Sequence, residues 1–163
     1  HDALPIYLLP LHAPLIAELE KSLIVCYSGI SRPAKSILDA VATGVENDDP
    51  HVVDALKSMS VCADEIKLLL MQGRLERLGD VLTEVWHLHQ KLHPDVTNER
   101  IDELFDLAIN AGATGGRVCG AGGGGAMMFY CAPERDYAVR QALAAVGARV
   151  FDWSLDRNGI IIW

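Results

Sequence analysis

Five glycines within six residues, Gly120-Ala121-Gly122-Gly123-Gly124-Gly125, form the stretch of this 163-residue chain best suited to chemistry. Glycine surrenders more backbone entropy on folding than any other residue, so a run this dense needs an offsetting gain. That gain is either backbone with positive φ or close approach of a ligand or another segment. Exposed N–H groups in such a loop can form a concavity for an anion. Gly120, Gly122 and Gly125 match GxGxxG formally, but the dinucleotide fingerprint needs a helix after the glycines and an acidic residue about 20 positions on. Here Ala126-Met127-Met128-Phe129-Tyr130 is strand-like, and Leu143-Ala144-Ala145-Val146-Gly147 carries no acid. A Walker A loop is excluded because no Lys-Ser or Lys-Thr follows the glycines. What remains is a strand–glycine loop–strand hairpin, either touching a bulky or anionic ligand or simply carrying a flexible tip.

Two other clusters are candidates for the same ligand. Ser28-Gly29-Ile30-Ser31-Arg32 precedes a helix start at Pro33. Arg32 in that turn can grip a phosphate bidentately, helped by Ser28, Ser31 and the helix N-terminus; equally, it is a solvated arginine capping a turn. Thr97, Asn98 and Arg100 stand at a second helix start, where they either face a sugar or serve as a plain N-cap with an exposed neighbour. His89 and His93 lie four apart on one helix, with His87 nearby. A two-histidine metal site needs a third ligand, and no HExxH is present, so they read as a solvated helix end and no metal site is expected. Cys26, Cys62, Cys119 and Cys131 form no CxxC pair and sit in apolar segments. They read as small buried hydrophobes in a reducing, cytoplasmic setting. Trp86, Trp153 and Trp163 are scattered and read as core or edge packing.

The elements that position these residues follow from periodicity. Leu23–Ser28 is a β-branched apolar run that predicts a buried strand. Pro33–Glu46 predicts a helix capped by Ser31 or Arg32, and Asn47-Asp48-Asp49-Pro50 ends it and starts another. Leu56, Met59, Ala63, Ile66 and Leu70 form one apolar helical stripe; Leu75, Leu78, Leu82, Val85, Leu88 and Leu92 form a second after Gly73. Such a pair packs antiparallel. Thr97-Asn98 caps a further helix with Ile101, Leu104, Phe105, Ala108 and Ala111 inward, stopped by Gly112 and Gly115-Gly116. Arg117–Gly120 and Ala126–Cys131 are the strands flanking the glycines, Glu134–Val146 is a helix, and Arg149–Ser154 and Gly159–Trp163 are closing strands about a turn at Asp156-Arg157-Asn158-Gly159. The order predicts an α+β fold: a small, mostly antiparallel sheet covered by helices.

Half of the residues are hydrophobic and 22% are charged, which suits one globular domain able to bury a core. A net charge of −8 and a pI near 5.1 argue against general binding to nucleic acid or anionic membrane. No apolar run reaches the roughly 18 residues of a membrane span. The opening HDALPIYLLPL lacks a basic n-region, and Pro5 and Pro10 interrupt it, so it does not read as a signal peptide. Residues 1–6 read as translated adapter DNA on a gene truncated at its 5′ end, or else as a proline-rich lead-in strand.

Arg117 to Tyr130, RVCGAGGGGAMMFY, resembles the third conserved motif of the GHMP kinases, the superfamily of galactokinases, homoserine kinases, mevalonate kinases and phosphomevalonate kinases. Tyr27-Ser28-Gly29-Ile30-Ser31-Arg32, the stretch from Leu88 to Asp102 and the closing helix resemble the heptose 7-phosphate kinase branch with its fucokinase-like relatives. The likeness runs from about Leu9 to the C-terminus. It implies that residues 7–163 form the ferredoxin-like C-terminal domain of an ATP- and magnesium-dependent sugar kinase. The N-terminal ATP-binding half, with the catalytic residues, is then expected outside this sequence, which has no Pro-x-x-x-Gly-Leu-Gly-Ser-Ser stretch. It further implies that Gly120, Ala121, Gly122, Gly123, Gly124 and Gly125 line nucleotide and substrate, and that Ser28, Gly29, Ser31, Arg32, Thr97 and Asn98 approach a sugar phosphate. On this reading the isolated chain is inactive, and the face meant for its missing half invites self-association. Fucokinase- or galactokinase-type activity, or a non-catalytic ligand-binding or interaction domain, are the alternatives.

Overall fold

In the computed structural model, which describes residues 8–31 and 33–156, strand β1 (Leu23–Tyr27) alternates between two apolar faces. Ile24 and Cys26 are fully buried on one face. β1 pairs antiparallel with β3 (Ala126–Cys131), Ile24 opposite Phe129 and Cys26 opposite Met127. β2 (Ala113–Val118) adds to the far side of β3, and β4 (Arg149–Phe151) to the far side of β1. The sheet order is β2-β3-β1-β4, antiparallel throughout.

Helix α5 (Glu99–Ala111) and helix α6 (Asp136–Ala145) cover the face of Ile24, Met127 and Phe129. Their Ile101, Leu104, Ala108, Val139 and Leu143 complete the main core, in which Phe105 meets Phe129 edge-on. Helix α1 (Ala13–Ser22) supplies Leu19, and helix α4 (Leu78–Gln90) supplies Leu78 and Leu82, to a second cluster around Tyr130 on the opposite face. Helix α3 (Pro50–Gln72) then packs Cys62 and Leu69 on Val81 and Val85 of α4. Helix α2 (Lys35–Glu46) buries Ile37 in the main core. The expected α+β architecture is therefore the one observed.

Capping explains the sharpest boundaries. Asp49 accepts from the His51 N–H, with Pro50 opening α3, and Gly73 closes that helix in the left-handed region. Asn98 accepts from Ile101 N–H at 3.2 Å, and Gly112 (φ 119°) ends α5.

Four local expectations are corrected. Helix α1 was not expected: Pro14 sits in its first turn, where the missing N–H is harmless, and Leu15 and Leu19 face the sheet four residues apart. α2 begins at Lys35 with Ala34 as its N-cap and no side-chain cap, so Ser31 does not cap it. β2 begins at Ala113, which places Gly115 and Gly116 inside the strand instead of at a helix stop. β4 ends at Phe151, the last residue paired with β1, and not at Ser154. The expected strand Gly159–Trp163, Trp163 itself, the scar at residues 1–6 and Arg32 lie outside the described residues.

The four thiols behave as packing groups. Cys26, Cys62 and Cys131 are buried and Cys119 is half-buried; all four are free. Burial pushes the Cys26 thiol up to about 11, with Cys119 adding to the rise and Arg100 opposing it. Burial first, then Asp136, pushes Cys131 up to about 12. Cys62 and Cys119 are also raised, in each case chiefly by burial. A thiolate is the reactive form. At pH 8, Ellman's reagent is therefore expected to leave the folded chain essentially unmodified over minutes and to titrate all four thiols after guanidinium unfolding. Rapid labelling of two or more thiols in the folded chain would contradict this packing.

Candidate functional site

The glycine tract joins β2 to β3 and is pinned at two places. Gly123 N–H donates to the Val96 carbonyl at 2.6 Å, and Asn98 Nδ2 donates to the Gly123 carbonyl at 3.1 Å. Two residues on, Gly125 N–H donates to the Ile30 carbonyl at 2.8 Å, and Ser28 N–H donates to the Gly125 carbonyl at 2.9 Å. The first pair ties the tract to the 3-10 turn Pro94–Val96 and the N-terminus of α5. The second ties it to the turn between β1 and α2. Three clusters up to 97 positions apart in sequence, from Ser28 to Gly125, are thus brought to one end of the sheet.

Glycine is required here at two positions above all. A Cβ on Gly122 (φ 91°) would stand 2.7 Å from the Val96 carbonyl oxygen, and one on Gly124 (φ 156°) would stand 2.6 Å from the Ile30 carbonyl oxygen. By contrast, a Cβ on Gly120 or Gly125 would meet nothing within 4 Å. The tract therefore has a side clamped to the protein and an open side. It is not a freely exposed nest, because the N–H groups of Gly123 and Gly125 are committed to protein carbonyls.

Each candidate side chain has a definite place. Ser28 is 1% exposed and its hydroxyl engages the Ile30 backbone at 3.3 Å, so it shapes the turn. Gly29 (φ 88°) and Ser31 are exposed on that turn. Thr97 donates its hydroxyl to Asp102 Oδ1, and Asn98 both caps α5 and holds Gly123. Arg100 is directed at protein acceptors: Nη2 to the Val146 carbonyl at 2.6 Å, Nη1 to Glu103 at 2.6 Å, and Nε to the Ser28 carbonyl at 3.4 Å. It ties α5 to the end of β1 and the end of α6. Beside these elements opens a recess of about 450 Å³ lined by Pro33, Lys35, Ser36, Ile37, Asp39 and Asp95. Among the described residues no three His, Cys, Asp or Glu side chains are grouped to hold a metal ion, and no helix is long and apolar enough to cross a membrane.

Residue-by-residue reading of the sequence missed three participants. The carbonyls of Val96 and Ile30 carry no signal in their side-chain type. His89 did carry one: it stands seven residues after Leu82 and four after Val85, on the buried stripe of α4. It is 5% exposed, which corrects the expectation of a solvated helix end. Burial chiefly, then the nearby Arg117 charge, holds its ring below the usual histidine range, while a hydrogen bond with the Ala121 backbone opposes them. His93 is a local cap whose Nδ1 accepts from Asp95 N–H, and His87 is exposed. Trp86 is core, as expected, and Trp153 anchors to the Leu23 carbonyl at the sheet edge.

Comparison with known proteins agrees with this architecture. Residues 66–149 match the family described as GHMP kinases C terminal. The chain is 32% identical over 145 residues to the bifunctional fucokinase/GDP-fucose pyrophosphorylase of Arabidopsis thaliana, covering 86% of this chain and 14% of that protein. It is 28% identical over 149 residues to the D-glycero-alpha-D-manno-heptose 7-phosphate kinase of Campylobacter jejuni, covering 91% and 43%. In fold it superposes on the L. major mevalonate kinase solved with R-mevalonate at a TM-score of 0.65 and 21% identity, covering 76% of this chain and 37% of that one. The chain thus spans less than half the length of each of these relatives.

Proposed function

Because the chain belongs to the GHMP kinases, through their C-terminal family, we propose that it forms one wall of the active cleft of an ATP-dependent sugar kinase. The acceptor in this reading is a heptose 7-phosphate, phosphorylated at its anomeric hydroxyl. The observation that carries the reading is the convergence of the glycine tract, the β1–α2 turn and the α5 N-terminus on one another.

Phosphoryl transfer is largely a matter of positioning and charge stabilisation. The open side at Gly120 and Gly125 fits close approach of a phosphate-bearing ligand, since no side chain stands there. ATP would supply the transferable phosphoryl group. The chain's own part is to lay a side-chain-free backbone wall along the cleft, exclude water from it and hold the acceptor. Lys35 and Ser36 in the neighbouring recess suit a sugar phosphate, and the Asp39 and Asp95 carboxylates suit sugar hydroxyls. Magnesium, which binds through one or two carboxylates together with substrate phosphates, would accompany the ATP. Catalytic groups and the partner surface belong to an N-terminal half beyond this sequence. Leu38 and Val45 of α2, with Val61, Leu68 and Met71 of α3, are exposed apolar side chains that suit contact with such a half or with a second copy. Four free thiols suit a reducing compartment such as the cytoplasm.

The test compares this chain with the longer product read upstream in the source DNA, each with magnesium ATP. The acceptors are D-glycero-D-manno-heptose 7-phosphate, fucose, galactose and mevalonate. The longer product is expected to favour the heptose phosphate by at least about tenfold in kcat/KM, with the 163-residue chain at background. Turnover by the short chain well above background overturns the one-wall reading. A preference for fucose or galactose replaces the acceptor, and ligand binding without turnover by either product supports a non-catalytic domain.

A further inference from the structure

Asn98 stands at the start of α5 with its side-chain amide spread between two stretches of backbone. Its Oδ1 accepts from the Ile101 N–H at 3.2 Å, and its Nδ2 donates to the Gly123 carbonyl at 3.1 Å, 25 positions away. The two contacts fix which way the amide points, because a flipped group would set Nδ2 against an N–H and Oδ1 against a carbonyl. Asparagine, aspartate and serine cap helices about equally well. Of the three, only asparagine carries its acceptor and its donor on two different atoms. The cap alone therefore does not account for the residue found here.

Gly123 is what the donor serves. It is buried, and its own N–H donates to the Val96 carbonyl at 2.6 Å. Residues 96–98 thus hold both of its backbone groups, while the Thr97 hydroxyl between them is turned to Asp102. The ends of the tract are fixed elsewhere: Cys119 N–H donates to the Ala126 carbonyl at 2.8 Å, and Gly125 is tied to Ile30 and Ser28. Between those ends the tract is tied down at Gly123. We propose that Asn98 is a positioning residue whose Nδ2–H registers the tract on the N-terminus of α5, and so sets where the open side at Gly120 and Gly125 lies. As a statement about phosphoryl transfer this rests on the function proposed above; as a statement about the tract's conformation it does not.

Asn98→Asp separates the two ends of the side chain. An ionised carboxylate still caps α5, and its charge is favourable at a helix N-terminus. It cannot donate, and it sets an oxygen against the Gly123 carbonyl. That carbonyl is then buried without the partner it has now, which favours any shift that brings it to water. Gly123 is left hanging on Val96 by its N–H alone.

Amide hydrogen exchange in the 163-residue chain, read by NMR at neutral pH and corrected for intrinsic rates, tests this at two reporters. In Asn98→Asp the Ile101 N–H, which reports the cap, should keep its protection within about twofold, and the Gly123 N–H should lose about tenfold. Asn98→Ala removes acceptor and donor together and should lose about tenfold at both. Wild-type protection of Gly123 in Asn98→Asp overturns the proposal. So does an equal loss at both amides in that variant, which would make the cap the source of the effect. If the aspartate variant fails to fold, the wild-type chain still decides. One Nδ2 proton of Asn98 should exchange about tenfold more slowly than those of Asn110, exposed on the same helix, and equal rates overturn the proposal. In the longer product Asn98→Asp is expected to lower kcat/KM about tenfold, and an unchanged value beside a loosened tract would overturn the part in phosphoryl transfer. Failure of that product to phosphorylate any acceptor sinks the kinase reading and leaves the exchange results standing.

Discussion

Replacing Gly115 by alanine is expected to destabilise the chain by about 3 kcal/mol, the upper part of the range for overpacking. A Cβ on Gly115 would stand 1.9 Å from the Gly79 carbonyl oxygen and 2.4 Å from Thr83 Oγ1. The reciprocal Cβ on Gly79 would stand 2.1 Å from Thr114 Oγ1 and 2.8 Å from its carbonyl carbon. Here helix α4 and strand β2 touch backbone to backbone, and no flexible side chain can swing away to relieve the collision. The contact also closes an edge. β2 is the outer strand, and Gly116 N–H, which would otherwise face an unpaired margin, donates to Thr83 Oγ1 at 3.2 Å. Urea denaturation of Gly115→Ala should show a lower midpoint at unchanged slope, and the melting temperature should fall by about 10 °C. Gly73→Ala is the comparison: its φ of 67° is strained for alanine but its Cβ meets nothing within 4 Å, so about 1 kcal/mol is expected. Equal losses at the two positions would mean that α4 does not lie on β2 as described.

Gly122→Ala and Gly124→Ala are expected to be almost as damaging to stability and more damaging to function. Each combines a left-handed backbone, worth about 1–2 kcal/mol against alanine, with a Cβ inside 3 Å of a carbonyl oxygen. The tract must then lift off the Val96 turn or the Ile30 turn, carrying its open side with it. In the kinase reading, a displacement of about 1 Å lowers kcat/KM of the longer product by about a hundredfold. Gly120→Ala and Gly125→Ala carry the φ strain without the collision, so about 1 kcal/mol and a near-normal tract are expected from each. Thermal unfolding of the four variants, with exchange protection across residues 119–126, separates the two classes. Four equal losses would show that backbone strain alone matters and that the clamp on Val96 and Ile30 is absent.

The elements with strong local signals were legible without coordinates. The Asp49-Pro50 start and the Gly73 stop of α3, the Asn98 cap of α5, and the hairpin around the glycines rest on residue types acting within a few positions of themselves. Gly115-Gly116 reads locally as a breaker because nothing near it announces Gly79, 36 positions earlier. Helix α1 was obscured in the same way: its stripe of Leu15 and Leu19 is short, and its burial depends on Leu78, Leu82 and Tyr130.

The candidate site divides along the same line. Its residue types were visible: glycines in excess of any turn's need, a serine-rich turn before a helix, an asparagine at a helix start. That two of the glycines face carbonyls and two face open space was not visible, because Val96 and Ile30 act through backbone oxygens that every residue possesses. Nor was the direction of Arg100, which is turned toward Ser28 and Val146 by acceptors 72 and 46 positions away. Composition, caps and hydrophobic period determined an α+β domain with a glycine-rich hairpin, since those depend on chemistry local to the chain. Which glycines are clamped, which arginine is a tie and which histidine is buried were decided only by the tertiary structure. Those properties belong to pairs of residues that the chain keeps far apart until it folds.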